Sequence, residues 1–467
     1  MRPLSAGTRL QELIVEHSII DNQPYGRFHR KLFFLSSGGP FLDGYILSVI
    51  GVAIAGATKD LGLTSFLEGV VGAAALVGVL VGGFVFGWVT DRVGRQVMYT
   101  IDLIALVAAS VLSLFVTEAW QLILLRFVAG VAVGADYPIA TSLLAEWLPA
   151  NRRGRTMGAL VAAWFVGASA SYAVGYLVAL AGGEGLWRWV LASATVPGVI
   201  ILLARIGTPE SPRWLLRHNR PDAAREAINT AFGRYPTDKE LAQLAEHEPP
   251  KKSRLREVFS GGYLGRTLFV GGFWMCQVAP AFAIWTFYPV ILGAYGFEEG
   301  TTSLLWSMVV SLVTLAGCFP CIVWVDSLGR RPVIIWTFVG VTVSMAALGF
   351  FPGMAAALAI LMFVVNALAL GGGNILQWIY PTELFPTDIR ASAVGVASAI
   401  SRIGAAAGTY LLPVGLDTIG LGPTMLVGAG IAAVGTAMCV AWAPETKGQA
   451  LHESAAVTRS PAAAGTK

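Results

Sequence analysis

Charge is scarce in this sequence: only 13% of its 467 residues are Asp, Glu, Lys or Arg, against 55% hydrophobic. That is about half the charged share of an ordinary soluble domain, which excludes a chain solvated mainly by water. Histidine is scarce too. All five (His17, His29, His218, His247, His452) fall outside the long apolar stretches, so no imidazole is available for chemistry at depth. The four cysteines (Cys276, Cys318, Cys321, Cys439) all fall inside those stretches. Cys318 and Cys321 have C-x-x-C spacing, but the apolar surroundings lack the polar partners that orient a metal ligand, so the expectation is packing thiols and no metal or cofactor. No Ser-His-Asp set, metal-ligand cluster or phosphate-cradling glycine loop is present, which argues against an enzyme.

What is present is a series of apolar stretches of about 20 residues, each long enough to cross hydrocarbon as a helix. They run over 32–57, 69–89, 97–117, 120–144, 158–181, 187–206, 268–294, 303–325, 333–351, 354–380, 394–414 and 423–441. The fold class expected is all-α and polytopic, twelve membrane helices in two bundles of six. Five segments follow: a tail 1–31 with one short surface helix and no signal-peptide cleavage site, a bundle 32–206, a polar connection 207–266, a bundle 267–443, and a tail 444–467.

Arg27, Arg30 and Lys31 precede the first stretch. Arg92 and Arg95, Arg152, Arg153 and Arg155, Arg330 and Arg331, and Arg390 fill every second connection. Positive flanks stay in the cytoplasm, so both termini are expected there, in an inner (plasma) membrane. The net charge of +4 is this same topological signal and gives no reason to expect a nucleic-acid partner. The expected partners are the bilayer, a small solute and a proton, with the chain acting as a monomer.

An internal repeat organises the chain. Asp91-Arg92-x-Gly94-Arg95 after the second stretch returns as Asp326-x-x-Gly329-Arg330-Arg331 after the eighth, offset 326 − 91 = 235. Glu146 with Arg153 returns as Glu383 with Arg390, and Pro209-Glu210 returns as Pro444-Glu445. These twelve residues (Asp91, Arg92, Arg95, Glu146, Arg153, Glu210, Asp326, Arg330, Arg331, Glu383, Arg390, Glu445) read as a cytoplasmic gate. In it an aspartate sits at the positive end of a neighbouring helix while arginines reach the glutamates. The alternative is that they serve topology and solubility alone. Two similar halves around a midplane site suit alternating access.

Charged side chains at depth are costly, at least about 2.5–3.5 kcal/mol each near the bilayer centre, so they mark function. Four stand out: Asp43 in the first stretch, Arg126 and Asp136 in the fourth, and Arg402 in the eleventh. Asp43, with Arg126 beside it, reads as a proton carrier, because desolvation and an adjacent guanidinium push a carboxyl in opposite directions. Asp136 joins that set. The alternative is a permanent ion pair that fixes helix register. For Arg402 two readings stay open: it clamps a carboxylate solute, or it neutralises Asp136. Gln277, Asn374, Gln377 and Trp378, with Tyr45 and Tyr137, complete the candidate substrate-binding set.

Taken together, Gly87-x-x-x-Asp91-Arg92-x-Gly94-Arg95, Asp326-x-x-Gly329-Arg330-Arg331, Pro-Glu-Ser-Pro-Arg-Trp-Leu at 209–215, Pro-Thr-Glu-Leu-Phe-Pro at 381–386 and Pro-Glu-Thr-Lys-Gly at 444–448 resemble the sugar porter branch of the major facilitator superfamily. The resemblance implies short helices in the polar connection, an Asp–Arg coupling pair on helices one and four, and a tenth-helix Trp, here Trp378, against a sugar ring. Where such porters have Gly-Tyr-Asp, this chain has Gly44-Tyr45-Ile46, with Asp43 one turn earlier. The segment 41–45 and Arg402 to Gly404 are similar to organic-acid and nicotinate carriers, and Gly134 to Pro138 to phosphate–proton symporters. The expected function is proton symport of a small polar solute, sugar or sugar-like. A small organic anion is the alternative, phosphate comes third, and a non-transporting nutrient sensor is the reading from another class.

Overall fold

The computed structural model describes residues 20, 23–182, 185–246, 258–259, 263–297, 301–385 and 387–447. Among them, twelve helices or helix pairs are long and apolar enough to cross a membrane. In hydrocarbon no water is available for backbone N–H and C=O groups, so each crossing satisfies them internally as a helix. The N-terminal half holds α1 (Arg27–Leu61), α2 (Ser65–Val93), α3 (Arg95–Leu112), α4 (Ala119–Trp147), α5 (Ala150–Ala181), and a sixth crossing built from α6 (Leu186–Ala192) and α7 (Thr195–Ala204). Three short helices follow: α8 (Pro212–Arg217), α9 (Pro221–Phe232) and α10 (Asp238–Glu246). The second half holds α11 (Tyr263–Thr286) with α12 (Tyr288–Ala294), α13 (Thr301–Ser327), α14 (Arg330–Phe350), α15 (Ala356–Leu384), α16 (Thr387–Thr418) and α17 (Leu421–Trp442). Helix α1 begins five residues before the expected stretch and brings His29 into its first turn. The surface helix expected within the first 31 residues falls mostly outside the described residues.

The repeat is visible in packing as well as in sequence. Gly82 of α2 and Gly134 of α4 let two backbones touch: a Cβ on Gly82 would strike the carbonyl of Val131, and one on Gly134 the carbonyl of Val79. In the second half Gly317 of α13 meets Leu368, and Gly371 of α15 meets Thr314, in the same way. The offsets are 317 − 82 = 235 and 371 − 134 = 237, those of the motif repeat. Small residues give such helices their close approach where lipid supplies no hydrophobic drive.

The halves meet along α2 against α16 and α5 against α13. Their contact is tight from mid-depth to the remote face, where α1 ends and α17 begins. There Tyr172 donates to the Trp285 carbonyl at 2.6 Å, Ser169 donates to Ser311 at 2.9 Å, and Ser65 donates to Asp417 at 2.9 Å. A Cβ on Gly69 would strike the Tyr410 carbonyl. At the face where α1 begins and α17 ends, here the terminal face, α8, α9 and α10 dock under the first half. Trp214, Ala227, Ile228 and Leu244 pack there on Leu32, Leu144 and Trp147.

Candidate functional site

Between the halves lies a cavity of about 350 Å³ that runs from mid-depth toward the terminal face, where Gly83 and Phe84 of α2 face Ser392 and Gly395 of α16. Its walls carry four indoles (Trp164, Trp274, Trp285, Trp378) and the phenyl rings of Phe165 and Phe282. Asp43 enters from α1, Asn374 and Gln377 from α15, and Arg402 from α16. The volume suits one small molecule, and sparse polar groups in an aromatic wall fix orientation and specificity. Trp274 and Trp378 meet edge to face with centroids 5.1 Å apart, and the Arg402 guanidinium lies 5.6 Å from the Phe282 ring centre. Gln377 donates to Asn374 at 2.8 Å. Gln277 sits just behind this wall, its amide against Gly373 and its Oε1 buried without a partner.

Tyr45 does not face the cavity. Its hydroxyl shares a hydrogen bond of 2.6 Å with Ser193 between α6 and α7, because it lies on the outer side of α1 from Asp43. The side chain of Tyr137 lies outside the described residues, as do those of Asp91, Arg95, Glu146 and Arg153.

The expected contact between Asp43 and Arg126 is not formed. Arg126 Nη1 donates to the carbonyl of Ile46 at 2.7 Å, three residues along α1, and Asp43 keeps its Oδ1 buried without a hydrogen-bond partner. The charges within electrostatic reach of Asp43 include Asp136, Arg402, Arg205 and Asp102. Arg402 thus lies opposite Asp43 across the cavity, and its charge bears on Asp43. Asp136 is 1% exposed, and neither of its carboxylate oxygens has a partner.

Among the described residues, two buried charged residues escape a reading of the sequence. Asp102 of α3 is 3% exposed, and Arg205, directly after α7, is 9% exposed. Asp102 falls six residues into the apolar stretch 97–117, which was signal enough to find it. Arg205 sits at the rim of the sixth stretch and looks like one more topological arginine. Among the described residues, these bring the set to three acids and three bases rather than two of each.

The repeated charged motifs form caps inside each half. Glu445 accepts from the backbone N–H of Arg330 at 3.0 Å and of Arg331 at 3.1 Å, at the positive end of α14. Glu210 accepts from Gln96 N–H at 2.9 Å at the start of α3, and 445 − 210 is again 235. The acid at the helix end is thus a glutamate after the sixth and twelfth crossings. Asp326 instead pairs with Arg330 at 3.4 Å and stays mostly exposed. Arg330 reaches Glu383 at 2.9 Å, Thr446 donates to Glu383, Arg331 donates to the Val440 carbonyl, and Arg390 donates to the Phe385 carbonyl. Arg92 lies exposed in the last turn of α2. Gly94 and Gly329, with φ of 107° and 105°, turn the chain into these caps where a side chain would meet Glu210 or Glu445.

The C-x-x-C thiols donate to the carbonyls of Gly371 (3.3 Å) and Gly372 (3.1 Å), as packing groups do. Among the described residues no cluster could hold a metal ion.

Comparison with known proteins agrees with this architecture. The family described as "Sugar (and other) transporter" matches residues 32–457. The putative metabolite transport protein YaaU of Escherichia coli K12 is 42% identical over 438 residues, 94% of this chain and 97% of that protein. The glucose transporter GlcP of Staphylococcus epidermidis is 29% identical, over 90% of this chain and 95% of its own length. Among solved structures, the xylose transporter XylE from E. coli in a partially occluded inward-open conformation superposes with a TM-score of 0.78 at 21% identity, covering 91% of this chain and 100% of that one. The chain belongs to the sugar (and other) transporter family of the major facilitator superfamily, and is a membrane transporter rather than an enzyme.

Proposed function

We propose that this protein is a proton-coupled symporter that moves a small polar solute, sugar or sugar-like, across the inner membrane by alternating access, with both termini cytoplasmic. The observation that carries the reading is Asp43: a carboxylate in the wall of the midplane cavity, with a buried oxygen that has no partner. Transport down a gradient needs no ionisable group at this depth, whereas a carrier that loads one proton with its solute does. One charge crossing 100 mV gains about 2.3 kcal/mol, enough for roughly 50-fold accumulation. Trp378 and Trp274 offer an aromatic face to a sugar ring, and Asn374, Gln377 and Gln277 offer hydrogen bonds.

A second reading, a small organic anion, is favoured by Arg402, a guanidinium in the wall facing Asp43. Phosphate, the third choice, is served less well by a wall so rich in indoles. A transporter-like sensor would bind solute without moving it. The test is a thermal-shift screen of sugars, sugar acids and aromatic acids on the purified protein, followed by counterflow in proteoliposomes. Arg402→Gln is expected to leave a neutral sugar's binding largely intact and to abolish that of a carboxylate. Binding without counterflow would leave only the sensor.

A further inference from the structure

Four residues of α1 spaced by four, four and three lie on one face of that helix; three of them meet a charged group and the fourth, Asp43, is one. Arg205 donates to the Leu35 carbonyl at 2.6 Å through Nη2 and at 3.1 Å through Nε. At Gly39 the missing side chain leaves room for the Asp136 carboxylate and the Tyr99 hydroxyl, both of which a Cβ would strike. Asp43 comes next, and Ile46 then takes Arg126. Arg205 lies over the Tyr99 ring, and Asp102 follows Tyr99 by one turn of α3, within electrostatic reach of Asp136. The Tyr99 hydroxyl, both Asp136 oxygens, Asp102 Oδ2 and Arg205 Nη1 are all buried and without hydrogen-bond partners. Buried groups of this kind are unfavourable unless water or a proton completes them.

A second, separate pocket of about 20 Å³ lies on the terminal side of this column, lined by Tyr99, Arg205, Ser36, Gln96 and Thr208. That is room for about one water, and its far end reaches Gln96, whose N–H is held by Glu210 at the terminal face. A further feature is the charge count. Asp43, Asp136 and Asp102 lie within electrostatic reach of one another and of two bases, Arg205 in this half and Arg402 across the cavity, while Arg126 is held by the Ile46 carbonyl, so one bound proton makes the column neutral. Arg402 belongs to the other half and also lines the solute cavity.

We propose that Asp43, Asp136, Asp102 and Tyr99 form a one-proton column that opens to the terminal face through its own water-sized pocket, apart from the solute cavity. The inference rests on Asp43 being the coupling site. The proton leaves the Asp43 carboxyl for the Asp136 carboxylate. The Tyr99 oxygen accepts it from Asp136 while passing its own hydroxyl proton to water in the pocket. Asp43 thus discharges toward the terminal face while solute still fills the cavity, so proton and solute need not share an exit.

The test uses infrared difference spectra of the full-length protein in nanodiscs after a pH jump, with the Asp43 carboxyl band identified by its loss in Asp43→Asn. Gly395→Trp plugs the cavity mouth, where an added side chain meets open space. In that background the Asp43 band is expected to respond at the wild-type rate. Adding Tyr99→Phe, which keeps the ring under Arg205, or Asp136→Asn is expected to slow it by at least about ten-fold. Asp102→Asn removes the excess charge, so the protonated-carboxyl signal at neutral pH should vanish. The separate route is overturned if Gly395→Trp alone slows the response as much as the double variants, or if Tyr99→Phe changes nothing. The shared proton is overturned if the signal persists in Asp102→Asn. Spectra that Asp43→Asn leaves unchanged would overturn the coupling reading itself.

Discussion

Arg126 reaches past Asp43 to the carbonyl of Ile46, 2.7 Å away, so the base of the fourth crossing holds the backbone of the first rather than its carboxylate. A guanidinium bound to a carbonyl is already partly satisfied and stays near Asp43 without neutralising it. Conversion of Arg126 to Gln is expected to leave that carbonyl a weaker, uncharged donor, with loss of about 1.5–3 kcal/mol in stability. Thermal unfolding in detergent measures this, and accumulation should fall further than exchange.

In Asp43→Asn, accumulation of solute against its gradient should disappear while exchange across the membrane persists. An amide of the same shape fills the cavity wall but carries no proton. Paired uptake and counterflow assays on one preparation separate the two.

The cap around Glu445 predicts a pH dependence at the terminal face. Burial pushes its carboxyl up, but the backbone N–H groups of Lys447, Arg330, Arg331 and Thr446 more than offset this and hold it below the ordinary glutamate value. The stabilisation is therefore present above the unfolded value of about 4.3 and is lost as pH falls through the lower folded value. Glu445→Gln should lower the melting temperature at neutral pH and flatten its decline on acidification below that range.

Gly329 occupies a backbone region that is essentially restricted to glycine, φ 105° and ψ 167°, and a Cβ there would meet the Glu445 carboxylate. Gly329→Ala should cost about 1–3 kcal/mol. The equivalent Gly94→Ala should cost a similar amount, and the two together should be close to additive because they lie in different halves.

Closure of the remote face depends on Gly69 lying flat against Tyr410. Gly69→Trp should wedge that face open and close the terminal one. A cysteine at position 392 in the cavity mouth should then react more slowly with a polar thiol reagent than it does in the parent protein.

Much of the fold was legible because it follows from chemistry that repeats. Twelve apolar lengths, arginines in alternate connections and an offset of 235 gave two bundles of six, and the glycine contacts at 82 and 317 carry the same offset. Depth was legible as well: Asp43, Arg402, Asn374, Gln377 and Trp378 all reach the cavity. Helix rotation was harder to read. Tyr45 is two residues from Asp43 but points to Ser193, and Arg126 meets Ile46 because a long side chain spans a helical turn. Arg205 was hidden by its place at the rim, where an arginine also serves topology. The sequence reads Glu210 and Glu445 as gate residues, but that they, rather than Asp326, hold a helix end depends on a turn geometry that only the backbone reveals.

Proton coupling through Asp43 is tested most directly by a pH electrode in a weakly buffered suspension of de-energised vesicles, to which the solute identified by the screen is added. The outside medium should turn alkaline as solute enters with the wild-type protein, and should not with Asp43→Asn. Solute entry without alkalinisation in the wild type would contradict the account.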